Sequence, residues 1–192
     1  GVEMLDDIGN AELKPGMIQD IEDMDAIINQ FLDFAREGDN EPSCPGEDLN
    51  HIVANVCERF SRTGRVITTR LGALPPLTLK PTATQRMVTN LVDNAVRYGG
   101  HEVEVSTEYA DGNAVVRVMD RGPGIPGNDF ARVMQPFTRM EASRAGGKGS
   151  GLGLAIVERA ARMHGGRVRL MGREGGGLEA RVELPAVVTK VA

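Results

Sequence analysis

Residues 146–157 read "GGKGSGLGLAIV". Glycines alternate at Gly147, Gly149, Gly151 and Gly153, and Leu154, Ala155, Ile156 and Val157 then open an apolar helix. A glycine loop that runs into a helix amino terminus presents free N–H groups and the positive end of a helix dipole, which suits a phosphate chain. Two common templates fail here. A P-loop needs glycine where Ala142 stands, and Ser or Thr after Lys148 where Gly149 stands. A dinucleotide fingerprint begun at Gly149 or Gly151 meets Leu154 or Ile156 in place of its last glycine, and no βαβ unit surrounds it. Alone, the stretch fits a structural turn as well as a phosphate cradle, so the neighbouring motifs must decide.

The elements around it alternate strand hairpins with helices. "EDLNHIVANVCERF" is amphipathic and reads as a helix, as do residues 83–98. "RVITTRL" and "PLTLK" read as strands around a Pro-Pro turn. "EVEVSTEY" and "AVVRVMD" form a hairpin at Asp111-Gly112, and "RVRLMG" and "LEARVEL" form another at Gly175-Gly176-Gly177. The pattern predicts an α+β fold, a two-layer α/β sandwich whose mixed, mostly antiparallel sheet carries helices on one face. Upstream, Met17, Ile21, Met24, Ile28, Phe31 and Ala35 keep a heptad seam between Pro15 and Gly38. A lone helix of that length is marginal in water, so a helical hairpin pairing into a four-helix bundle is expected, its first helix mostly missing. The expected division is a partial bundle segment at 1–38, a linker at 39–46 and a main domain at 47–188.

Composition narrows the functions. The 192 residues are 41% hydrophobic and 26% charged, ordinary for a globular protein. No apolar run approaches the ~18–20 residues that span a bilayer, so no direct membrane contact is expected. Cys44 and Cys57 lack metal-ligand spacing and read as reduced thiols. Residues 1–43 hold 12 acids and 2 bases, whereas the remainder holds 15 acids and 20 bases. From Arg132 to Arg173 nine bases face two acids. That excess is either a solvated basic face or an attraction for a polyanionic small ligand. Nucleic acid is not expected, because only 4% of the residues are aromatic and none form a stacking platform.

Two further clusters carry chemistry. "MDRGPGIP" sets Asp120 at a strand end before Gly122 and Gly124. A carboxylate there accepts a hydrogen bond from an adenine amine and repels the carbonyl of guanine. In "NLVDNAVRY", Asn90 and Asn94 share a helix face with Arg97 and Tyr98. Beside a triphosphate the two amides become neutral oxygen ligands for Mg²⁺, Arg97 pairs with phosphate oxygens and Tyr98 lies against a purine.

The order "NLVDNAVRY", "DRGPG", "PFTR", "GSGLGLAIV" resembles the N, G1, F and G2 boxes of the sensor histidine kinases, within the wider fold of the gyrase, Hsp90 and MutL ATPases. The resemblance covers residues 47–185, and "AIINQFLDFAR" resembles the second bundle helix of the osmosensor (EnvZ) branch. It implies Mg²⁺ and ATP as cofactors, held by Asn90, Asn94, Arg97, Tyr98, Asp120, Gly122, Gly124, Ile125 and the run Lys148, Gly149, Ser150, Gly151, Leu152, Gly153, Leu154. It implies a mobile lid over residues 127–149, docked by Phe137, with Arg139 or Arg144 reaching the phosphates. Asn90, Arg97 and Arg139 are the implied catalytic residues, and Asn94 and Asn90 the implied metal ligands. The whole protein would sit in a bacterial inner membrane with this part in the cytoplasm, form a homodimer through its bundle and pass phosphate to a response regulator. An adaptor module with a vestigial pocket is the alternative.

In the ATPases of this fold a glutamate that activates water precedes the magnesium Asn by four residues, and here that position is Asn90. An amide is no general base at neutral pH, so the γ-phosphoryl group is kept for another acceptor. The family's acceptor histidine is followed by an acidic residue and then Thr-Pro. His51, His101 and His164 all lack that context and read as structural or solvated.

Overall fold

The computed structural model describes Ile28 and residues 41–100, 102–138 and 150–186. Apart from Ile28, which is helical, the expected bundle segment lies outside the described residues, as does His101. The elements run β1 (Cys44–Glu47), α1 (Leu49–Ser61), β2 (Val66–Leu71), β3 (Leu77–Leu79), α2 (Pro81–Tyr98), β4 (Glu102–Ala110) and β5 (Asn113–Met119). A 3₁₀ turn (Gly127–Asp129) then leads into the short α3 (Phe130–Val133), followed by α4 (Gly153–Met163), β6 (Arg167–Gly172) and β7 (Leu178–Pro185).

Five strands form one sheet in the order β2-β4-β5-β7-β6; β2 and β4 are parallel and every other neighbouring pair is antiparallel. This is the mixed, mostly antiparallel sheet that the alternation predicts. Asp111 and Gly112 both take positive φ (50° and 77°), the geometry of a type I′ turn, and so set the β4–β5 register. The inward residues Val103, Val105, Ala114, Val116, Val118, Ala180, Val182 and Leu184 meet apolar stripes from α1, α2 and α4. On α2 that stripe is Ala83, Met87, Val88, Leu91, Val92 and Ala95. Cys57 faces the same core from α1, where burial pushes its thiol up to about 11, so it stays protonated. Thr107 is the polar exception among the inward residues of β4; its hydroxyl donates to Asn50 Oδ1 at 2.7 Å, and the Asn50 amide donates to the Gly72 carbonyl at 2.8 Å.

The opposite face of the sheet is a lattice of ion pairs. Glu183 on β7 lies 2.5 Å from Arg167 Nε, 3.1 Å from Arg181 Nε and 3.9 Å from Arg169 Nε. Arg117 pairs with Glu108 and lies 3.6 Å from Glu179. Three of the nine bases read between Arg132 and Arg173, namely Arg167, Arg169 and Arg173, are thus paired on the sheet. Burial works to raise the Glu183 carboxyl, but the Arg167 hydrogen bond and the surrounding guanidinium charges outweigh it and hold it below the usual carboxylate range.

Residues 41–47, within or beside the expected linker, are tied to the domain. β1 pairs with β3, and Glu41 caps α2 from a distance. Pro81 has no N–H to satisfy at the first helical position. Glu41 accepts from Thr82 N at 2.6 Å and from Ala83 N at 3.0 Å. Lys80 N donates to His164 Nε2 at 2.9 Å, which leaves Nδ1 as the protonated nitrogen, 2.7 Å from Ala160 O. His164 is therefore structural, as its sequence context suggests.

Two outcomes test this account. Glu41→Ala removes the acceptor of two helix N–H groups and is expected to cost about 1 kcal/mol of unfolding free energy, read by chemical denaturation. Glu183 has a lowered folded pKa, so its contribution is complete above the unfolded value and is lost as pH falls through the folded one. Glu183→Gln should lower the Tm at neutral pH, with the gap to the parent closing below about pH 4.

Candidate functional site

The site is built where the amino end of α4 meets the middle of α2. A methyl group added at Gly153 would sit 3.1 and 3.2 Å from the Asn94 amide atoms and 3.3 Å from Asn90 Oδ1. A methyl group there would push the amides by a few tenths of an ångström, because the two asparagines, one helical turn apart, converge on the first residue of α4. The Asn90 amide nitrogen donates to Arg86 O at 2.9 Å. The Asn94 amide nitrogen is buried with no acceptor among the described residues. No side chain caps α4; in its approach Ser150 Oγ accepts from Leu152 N at 3.2 Å. Gly151 has φ +72°, and a Cβ there would fall 2.8 Å from the Phe137 carbonyl carbon. Phe137 itself is 59% exposed and has φ +62°, a strained conformation for a bulky residue. Leu152 is fully buried, and Leu154 packs against the core.

The second half of the site lies at the carboxyl end of α2. Asp120 follows β5 and is 6% exposed. Its Oδ1 accepts from Gly122 N at 2.8 Å and from Leu178 N at 3.2 Å, so Oδ2 has no partner among the described residues. A Cβ at Gly99 would lie 2.1 Å from the Asp120 Cβ, and one at Gly122 would lie 2.3 Å from Tyr98 O. Helix end, strand end and loop are therefore in direct backbone contact. Gly124 (φ +70°) abuts Gly177 O, and Ile125 packs against the core.

The structure brings Asn90, Asn94, Gly151, Leu152 and Gly153 together, and separately brings Tyr98, Asp120 and Gly122 together, with α2 joining the two groups. Arg97 is half exposed and pairs with Asp93 at 3.0 Å. Arg139, Arg144, Lys148 and Gly149 lie outside the described residues. The first part of the expected lid is helical, with Val133 buried. A separate open depression lined by Met134, Pro136, Glu158, Arg159 and Met163 lies beyond the first turn of α4 and shares none of these polar groups. Sequence reading missed Gly99, Arg173 and Gly177 as parts of the site. Arg173 was legible only as part of the basic excess and Gly177 only as a turn glycine, yet a Cβ at Gly177 would fall 2.1 Å from Asp120 O.

Residues 79–188 match the family model described as histidine kinase-, DNA gyrase B- and HSP90-like ATPase. The chain is 32% identical over 184 residues to the sensor histidine kinase GtrS of Pseudomonas aeruginosa, covering 96% of this chain and 37% of that protein. Its fold matches the histidine kinase domain of the E. coli osmosensor EnvZ at a TM-score of 0.59, with 34% identity over 82% of this chain and 96% of that one. It also matches full-length ShkA, solved in complex with AMPPNP, at a TM-score of 0.72, with 27% identity over 84% of this chain and 35% of that one. The chain spans about two fifths of the length of GtrS and of a probable sensor histidine kinase of Mycobacterium tuberculosis. With more than half of its length matching the family model, the chain belongs to the histidine kinase-, DNA gyrase B- and HSP90-like ATPase family, on the sensor histidine kinase side.

Proposed function

We propose that this domain binds Mg-ATP between α2 and the amino end of α4 and serves as the phosphoryl donor of a sensor histidine kinase. The observation that carries the proposal is the Asn94 amide nitrogen, buried and, among the described residues, without an acceptor at the amino end of a helix that no side chain caps. A buried donor left unpaired costs about 1–3 kcal/mol, and a phosphate oxygen is the acceptor it lacks. Asn90 and Asn94 present hard, neutral amide oxygens and thus fit Mg²⁺, which when bound offsets triphosphate charge and orients the γ-phosphoryl group. The α4 amino end receives phosphate oxygens through its N–H groups. Asp120 takes the adenine amine on Oδ2, while its Oδ1 is held by backbone. From Asn90 to Gly99 the axis of α2 spans about 14 Å, a distance fitted to a nucleoside triphosphate with its base at one end and its last phosphate at the other. The AMPPNP in ShkA, an ATP analogue on a related fold, supports the same ligand class.

Transfer forms a nitrogen–phosphorus bond to an imidazole as the γ-phosphorus–oxygen bond to ADP breaks. Asn90 cannot take a proton from water, so hydrolysis does not compete. In this reading the acceptor is a histidine on the first bundle helix, with the partial bundle segment at 1–38, the linker at 39–46 and the donor domain at 47–188. A response regulator aspartate is the next acceptor, the bundle is the dimer interface, and the membrane anchor belongs to the rest of the protein. Among the described residues no helix is long and apolar enough to cross a membrane.

Asn94→Ala should leave unfolding free energy within about 1 kcal/mol of the parent, because no hydrogen bond is lost, while lowering Mg-ATP affinity more than tenfold in a titration run with and without Mg²⁺. Parent-like binding would remove Asn94 from the site. The chain alone, given γ-labelled ATP, should acquire no acid-labile label and release little phosphate. Both ring nitrogens of His164 are engaged, His51 is followed by Ile52, and His101, though followed by Glu102, has no Thr-Pro after it. Label on the chain would reassign one of the three.

A further inference from the structure

The structure assigns Arg173 as the residue that positions Asp120 for reading the adenine base, a role that rests on the Mg-ATP reading above. Arg173 follows β6, and its side chain is only 14% exposed. Its Nη1 donates to the Asp120 carbonyl oxygen at 3.3 Å, and its Nη2 donates to Glu104 on β4. One guanidinium thus joins the ends of β6, β5 and β4 across the open face of the sheet. That hydrogen bond, with the nearby Arg173 charge, holds the Glu104 carboxyl below the usual carboxylate range.

Asp120 has other backbone attachments. Asp120 N donates to Leu178 O at 3.0 Å, and Leu178 N returns to Oδ1 at 3.2 Å. These fix the carboxylate relative to β7. The peptide oxygen of Asp120 has passed the end of the β4–β5 ladder, whose last described pair is Glu104 and Met119. Arg173 occupies that acceptor and, together with Arg121 N donating to Gly99 O at 3.3 Å, holds the peptide plane between Asp120 and Arg121, from which the Gly122 turn departs. A planar fork that grips a carbonyl with one arm and a carboxylate with the other cannot be replaced by a lysine point charge. Without it, Asp120 keeps its Leu178 bonds and its contact with Gly99 but loses a restraint on the turn that sets Gly122 N against Oδ1, and with it part of the restraint on Oδ2.

The test compares Mg-ATP with Mg-ITP, whose base carries a carbonyl in place of the amine. The parent should prefer ATP by at least about tenfold, the scale of a hydrogen bond to a charged group. Arg173→Met should weaken ATP binding about five- to twentyfold and ITP binding less than twofold, collapsing the preference. Arg173→Lys should recover only part of it. Glu104→Gln, which keeps the shape of its side chain, should reduce the preference in the same direction and serves if Arg173→Met does not fold. Combining Asp120→Asn with Arg173→Met should weaken ATP binding no further than Asp120→Asn alone. Equal losses for both nucleotides, or an unchanged preference in Arg173→Met and Glu104→Gln, would leave Arg173 merely structural and overturn the assignment. An unchanged preference in Asp120→Asn would instead defeat the base-reading role of Asp120, and the Arg173 assignment with it.

Discussion

The absence of a side chain at Gly153 allows the amino end of α4 to rest directly on the Asn90 and Asn94 amides. This contact fixes the spacing of two helices. α4 runs back along α2 until His164, just past its last turn, reaches Lys80 N at the start of α2. Eleven residues along α4 span about 17 Å, and the stretch of α2 from Lys80 to the asparagines covers a similar length. The two helices are therefore antiparallel and clamped at both ends, by glycine on amide at one and by imidazole on backbone N–H at the other. Any change that widened the first contact would strain the second.

The clamp also explains why α2 is a rigid platform. Its amino end is tied through Glu41 and His164, and its carboxyl end is pressed through Gly99 onto Asp120. The apolar stripe from Ala83 to Ala95 lies on the core between these ties. A ligand spanning the two halves of the site would touch residues whose relative positions are set by one helix. Little ordering entropy would then remain to be lost from that helix on binding.

Local pattern was enough to read the hairpins, since alternation and the Asp-Gly turn encode pairing between neighbours in sequence. The motif residues of the site were legible for the same reason, each cluster being short and self-contained. Long-range polar pairing was not legible. Glu41 has no local mark of a helix cap, because its two N–H donors lie about forty residues downstream. The short β1, with a proline and a glycine in four residues, carries no alternation to reveal a strand. The arginines of β6 read as a basic run until the register with β7 brings Glu183 among them. Gly177 reads as one of three turn glycines, and only the fold shows its Cα against the Asp120 carbonyl.

The distribution of unmet cost across the domain separates the site from its frame. Around the frame, most polar groups find partners: Thr107 with Asn50, Glu183 with its arginines, and the amino end of α2 with Glu41 and His164, while Arg117 Nε and Arg181 Nε lack a hydrogen bond but lie 3.6 and 3.1 Å from the carboxylates of Glu179 and Glu183. At the site, Asn90 and Asp120 have partners too, but three features stand out. The Asn94 amide nitrogen is buried without an acceptor, α4 begins without a side-chain cap, and Phe137 holds a positive φ beside Gly151. Such features each cost on the order of 1–3 kcal/mol, against a total domain stability of about 5–15 kcal/mol. A fold carries several of them in one place only if its other contacts are well satisfied. The first two share a chemistry: among the described residues, an N–H donor without an acceptor and a helix amino end without a side-chain cap are both suited by the same partner, an anion with several oxygens. The proposed ligand class thus agrees with these unmet groups as well as with the glycine motifs that first suggested it.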